Sequence, residues 1–235
     1  MTTIDILKKT KAAWQHISNA SAEEKNALLL AMADSLLTHQ DAILAENRLD
    51  MEAARGHISE VMLDRLCLDE KRIAGMAAGI RDIAALPDHT GRILSEVRRP
   101  NGMTIYKKQV PLGLVSIIYE SRPNVTSDAA ALAVKSGNVC VLRCGKEAYR
   151  SAHAIVKALK AGTTAAGGDP LFIGFHNGTR RSGSLLPHSG TIDLDITAVQ
   201  RHGRAGPWDQ TANLIVALSG RLCEIQRPEG SVQHR

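Results

Sequence analysis

Two short segments of this chain, Glu120-Ser121-Arg122-Pro123-Asn124 and Arg143-Cys144-Gly145-Lys146-Glu147, are densely polar, and each follows an apolar run. The runs are Leu114 to Tyr119 and Val139 to Leu142, whose β-branched content suits strands covered on both faces. Pro123 biases Arg122 away from helical dihedrals, so the first segment reads as a turn. Ser127 or Asp128 can cap the helix that follows, and Ala129, Ala130, Ala131 and Ala133 give it a small face for close packing on a sheet. Ser136-Gly137-Asn138 stops that helix. The pattern is a βαβ unit, and such units bind ligands at the carboxyl ends of their strands. The two polar segments occupy those ends.

The elements in front of this unit are mainly helical. Ser21 with Glu24 makes a capping box ahead of an apolar stripe of Leu28, Leu29, Met32, Leu36 and Leu37. A second helix is expected from Gln40 through Arg55, ended by Gly56, with a short successor from Ser59 to Leu66. Asp69 caps a further helix with Ile73, Met76, Ala77, Ile80 and Ile83 on one face, and Pro87 lies just beyond it. Ile93 to Arg99 and Met103 to Val110 flank Pro100-Asn101-Gly102, a strong hairpin signal.

Three ordered motifs carry a family resemblance: Tyr119-Glu120-Ser121-Arg122-Pro123-Asn124-Val125-Thr126, then Lys135-Ser136-Gly137-Asn138, then Leu142-Arg143-Cys144-Gly145-Lys146-Glu147-Ala148. Over residues 1 to about 160 the chain resembles the aldehyde dehydrogenase superfamily and, within it, the γ-glutamyl phosphate reductase (glutamate-5-semialdehyde dehydrogenase) family. The resemblance implies an α/β fold: the N-terminal part of an aldehyde dehydrogenase-like fold, with helices, a hairpin and a βαβ cofactor-binding unit. It implies NADPH-dependent reduction of L-glutamate 5-phosphate to L-glutamate 5-semialdehyde and phosphate, in proline biosynthesis. The residues it assigns to NADPH or NADP are Ser121, Arg122, Pro123, Asn124, Arg143, Gly145, Lys146 and Glu147. Arg143 and Lys146 would meet the ribose 2′-phosphate through charge-assisted bonds. Glu147 would bond a ribose hydroxyl or complement the dipole of the next helix. Ser121, Arg122 and Asn124 would orient the nicotinamide or an acyl oxygen, or else shape a tight proline turn. Ser121 stands near the place of the superfamily's oxyanion Asn. By the same likeness, residues 91–111 would be an assembly element of a homo-oligomer.

The family reaction needs a cysteine thiolate to expel phosphate. Cys223 is a weak candidate, because Gly220-Arg-Leu-Cys-Glu-Ile225 does not match the family context and an adjacent Glu disfavours a thiolate. No catalytic residue is therefore assigned, and the chain is expected to be truncated and inactive, a fragment that binds nucleotide or an intact subunit.

Composition changes near Lys160. Residues 1–160 hold 11 Lys, 11 Arg and 8 Gly; residues 161–235 hold no Lys, 7 Arg and 11 Gly. Gly162 to Gly168, Thr179 to Ser184 and Gln200 to Pro207 read as loop or disorder, with Thr191 to Val199 and Asn213 to Leu218 as candidate ordered pieces. Arg-only, Gly-rich sequence is what a GC-rich gene gives out of frame. The expectation is a partial NADP-binding domain over 1–160 and an irregular, disordered, non-homologous tail over 161–235, frameshift-derived or a genuine Gly/Arg-rich extension.

A formal net charge of +5 permits nucleic-acid binding, but the basic residues are dispersed and lack an aromatic series, so no nucleic acid is expected. No run approaches a membrane span, and Met1 to Thr10 lacks the apolar core of a signal peptide. Cys67, Cys140, Cys144 and Cys223 have neither disulfide nor zinc spacing, Cys67 and Cys140 reading as buried, and no two of the nine His stand at i,i+4. The expectations are no metal, no membrane and a cytoplasmic location.

Overall fold

The structure is a computed structural model describing residues 2–176, 196–199 and 219–226, the last two segments as strand backbone. Its first half is a run of capped helices. α1 (Thr3–Ser18) and α2 (Ala22–Thr38) each open on a reciprocal capping box, Thr2 with Asp5 and Ser21 with Glu24. α3 (Gln40–Ala54) is followed by Gly56 at φ 76°, where the chain reverses. Ser59 and Asp69 cap α4 (Glu60–Leu66) and α5 (Glu70–Ala85) through backbone N–H groups three residues on.

The hairpin follows as β1 (Ile93–Arg98) and β2 (Thr104–Pro111), antiparallel, with Gly102 at φ 82° in the turn. β1 is exposed along its whole length, Ile93, Leu94 and Val97 included. On its other edge β2 pairs antiparallel with β7 (Ser219–Gln226).

The second sheet holds β3 (Leu114–Ile118), β4 (Val139–Arg143), β5 (Ile173–Phe175) and β6 (Ile196–Val199) in the order β5-β4-β3-β6. All three pairings are parallel, and β3 and β4 run in register from Leu114–Val139 to Ile118–Arg143. α6 (Pro123–Lys135) is the crossover between them. Asn138 aligns their starts, its Oδ1 accepting from Gly113 N at 2.8 Å while Val139 N donates to Gly113 O at 3.0 Å. Gly137 turns at φ 73°, and a Cβ there would lie 2.8 Å from Pro111 Cγ, so only glycine fits.

α7 (Tyr149–Ala165) departs from the sequence expectation, because the helix continues through Gly162 and Thr163 instead of opening into a loop. Tertiary packing explains it. Both residues are buried, and a Cβ on Gly162 would lie 2.5 Å from Ala31 O of α2, so this glycine permits two helices to cross closely rather than ending one. β6 falls within the expected piece Thr191–Val199. Thr179–Ser184, Gln200–Pro207 and Asn213–Leu218 lie outside the described residues. The core joins the α2 and α5 stripes to α6, α7 and the strands, with Leu29, Met32, Ile80, Leu142 and Ile155 fully buried. Among the described residues no helix is long and apolar enough to cross a membrane, and no His/Cys/Asp/Glu group could hold a metal.

Candidate functional site

The two polar segments meet at the carboxyl ends of β3 and β4. Tyr119 N donates to Arg143 O at 3.0 Å, extending the ladder one step past the strands. A Cβ on Gly145 would lie 2.8 Å from Glu147 Oε2 and 3.6 Å from both Glu120 C and Ser121 N. Gly145 has an ordinary φ of −62°, so glycine serves close approach here, not an unusual backbone. Lys146 to Ala148 form one 3₁₀ turn, with Lys146 exposed and Glu147 partly buried. Ser121 is buried, whereas Arg122 and Arg143 are partly exposed.

Pro123, not a Ser127 or Asp128 cap, starts α6. Proline suits the first helical position, where its fixed φ is helical and no N–H is needed. Asn124 is therefore in the first turn, exposed, and Ser127 Oγ donates back to Asn124 O at 2.7 Å. Below the turn, Tyr119 is buried with its hydroxyl 2.6 Å from Thr126 Oγ1, and burial pushes its pKa well up.

Asp50 of α3 fixes the far side. Its carboxylate accepts from Ser151 N at 2.7 Å, Ser151 Oγ at 2.6 Å and Arg150 N at 3.3 Å, capping α7. Asn47 adds bonds to Leu66 O, Leu68 N and Ser151 Oγ. These two residues carried no local sequence signal, since their partners lie 19 to 104 positions away.

Two of the described thiols are poor nucleophiles. Burial raises both Cys140 and Cys144 to about 12. Cys67 is only partly buried, because it sits at the C-terminal cap of α4 rather than in the core. Cys223 stands opposite Lys107 in the β1-β2-β7 sheet, whereas the two polar turns close the other sheet.

A cleft of about 720 Å³ opens on the other side of the first turn, between α4, α5 and the start of α6. Arg122, Asn124 and Asp128 reach it from α6, and Arg72 and Asp82 from α5. Burial raises the Asp128 carboxyl from 3.8 to about 6. The sequence did hold a signal for it: Asp128 is the one charged residue within α6 before Lys135.

Sequence comparison gives the same picture as the geometry. A γ-glutamyl phosphate reductase of Neisseria gonorrhoeae is 56% identical over 190 residues, which cover 81% of this chain and 45% of the relative. This chain is a homologue of the γ-glutamyl phosphate reductases. It spans about half the length of the curated reductases it matches, and a match of 190 residues in a chain of 235 runs past Lys160. The crystal structure of the Thermotoga maritima reductase superposes with a TM-score of 0.80 at 31% identity, covering 92% of this chain and 51% of that one. The aldehyde dehydrogenase-type fold extends to a glyceraldehyde-3-phosphate dehydrogenase from Methanocaldococcus jannaschii complexed with NADP. That structure has a TM-score of 0.54 and 14% identity, covering 74% of this chain and 35% of that one. No family model matches the chain.

Proposed function

We propose that this chain carries the cofactor-binding part of an NADPH-dependent γ-glutamyl phosphate reductase, a cytoplasmic enzyme reducing L-glutamate 5-phosphate to L-glutamate 5-semialdehyde in proline biosynthesis. The observation that carries this reading is the juxtaposition of the two polar turns across Gly145, within a region 56% identical to a reductase. Their geometry fits a dinucleotide. Exposed Lys146, with Arg143 at the end of β4, offers cations to a ribose 2′-phosphate, and Glu147 offers a carboxylate to a ribose hydroxyl. Gly145, having no side chain, lets the Glu147 carboxylate lie against the backbone between the two turns. Ser121 lies beside Gly145 while Arg122 and Asn124 line the cleft, with Pro123 between them, so this turn would hold the nicotinamide end against the acyl substrate. When bound, NADPH supplies the hydride.

The chain's own residues would then bind and orient the two reactants. The guanidinium of Arg122 has no ion pair or hydrogen bond among the described residues, so it is available to an anionic group of the substrate. A thiolate is a different matter, since Cys140 and Cys144 stay protonated at neutral pH. The isolated chain therefore binds NADPH without turning over acyl phosphate, and the exposed β1 edge pairs with another subunit.

Fluorescence titration with NADPH tests the reading, alongside a turnover assay of the chain and its Cys223→Ser variant. Saturable binding tighter for NADPH than for NADH, with no turnover, is the expected result. Absence of binding removes the cofactor assignment, and turnover lost in the Cys223→Ser variant makes Cys223 the nucleophile.

A further inference from the structure

The cleft beside the first turn holds an anion and a cation that do not satisfy each other. The one hydrogen bond to the Asp128 carboxyl among the described residues comes from Ser127 Oγ at 3.5 Å, and that hydroxyl already donates to Asn124 O at 2.7 Å. No ion pair joins Asp128 to Arg122, although both line the same cleft. The other cleft cations, Arg65 and Arg72, have partners of their own, Arg72 donating to Asp64 O, Cys67 O and Asp64 Oδ1. Gly79 of α5 faces Asp128 across the cleft, where an added Cβ would just reach van der Waals contact with its Oδ1, at 4.0 Å, so no side chain of α5 stands between them. A partly buried carboxylate without a cation is costly, and ordinarily the fold supplies a partner or a ligand does.

The geometry points to a zwitterionic substrate: Asp128 receives the α-ammonium group of an α-amino-acid acyl phosphate, while Arg122 receives an anionic group of the same molecule. This rests on the reductase reading, which puts the acyl end at the turn, and it assigns the choice of an amino-acid substrate over a plain dicarboxylic one to Asp128. Asp128 lies five residues beyond Pro123, about 7.5 Å along α6 at the helical rise. That separation allows the acyl carbon to stay at the turn while the amino end extends along the helix. A dicarboxylate without the ammonium would present nothing to neutralise Asp128, and one of its own charges would lie near that carboxylate.

Calorimetric titration of the full chain, in the presence of NADP at pH 8, compares L-glutamate with glutarate, which lacks the ammonium group. The expected result is a preference for L-glutamate of about tenfold or more, the range of one charge-assisted bond. Asp128→Asn should bring the two ligands to equal affinity without changing NADPH affinity, and Asp82→Asn, in the same cleft, should keep the preference. Equal affinities in the unaltered chain, no binding of L-glutamate, or a preference that survives Asp128→Asn would each overturn the proposal. Loss of NADPH binding with the preference intact would instead strike only the cofactor reading.

Discussion

Replacing Asp128 with Asn should stabilise the folded chain at neutral and alkaline pH and do nothing comparable in acid. Burial raises this carboxyl from 3.8 to about 6 in the folded state. The fold thus prefers the protonated acid. Stabilisation by that proton is complete below about pH 3.8 and is lost as pH rises through about 6. At about 1.4 kcal/mol for each pH unit, the difference between 3.8 and about 6 corresponds to about 3 kcal/mol of strain at pH 8. Asn keeps the shape and cannot ionise. Urea unfolding of both proteins at pH 4 and pH 8 reads the effect, taking the change in the difference between them. The pH-independent cost of exchanging one group for the other cancels in that comparison. An increase of about 2–3 kcal/mol in favour of Asn between the two pH values is expected. A difference that is flat with pH would refute the reasoning, because it would mean that Asp128 ionises as freely in the fold as in the unfolded chain. A charge that costs stability in the free protein and lines a cleft is the pattern of a group kept for a ligand.

Gly162→Ala should destabilise by about 1–3 kcal/mol, since the new Cβ would meet α2 backbone at Ala31 O and Met32 Cα; urea unfolding measures it. Lys25→Met should cost about 3 kcal/mol or more in the same assay, because Lys25 is buried and its ammonium, 2.5 Å from Asp88 Oδ2, leaves that carboxylate unpaired when removed. Lys146→Ala should weaken NADPH binding about tenfold or more while changing NADH little, read by fluorescence titration. Iodoacetamide at pH 7.5 should leave Cys140 and Cys144 unmodified in the folded chain and alkylate both in urea, as peptide mass spectrometry would show.

Sequence alone determined the elements whose signals are local. The capping residues Ser21, Ser59 and Asp69, the turn at Asn101-Gly102 and the stop at Gly137 each act on neighbours within a few positions, and each stands where local chemistry puts it. The motif residues from Tyr119 to Ala148 also named the family and the strand ends that meet in space. What only the tertiary structure decided depends on partners far along the chain. Gly162 looks like a helix breaker until α2, some 130 residues earlier, is found pressed against it. Asp50 and Asn47 look like solvent-facing helix residues until their bonds to Ser151 appear. Asp128 reads as a helix cap by its spacing, yet Pro123 starts the helix earlier and turns that carboxyl toward a cleft walled by α4 and α5. Local propensity is written in adjacent residues, whereas burial, close approach and an unanswered charge arise only when distant segments pack together.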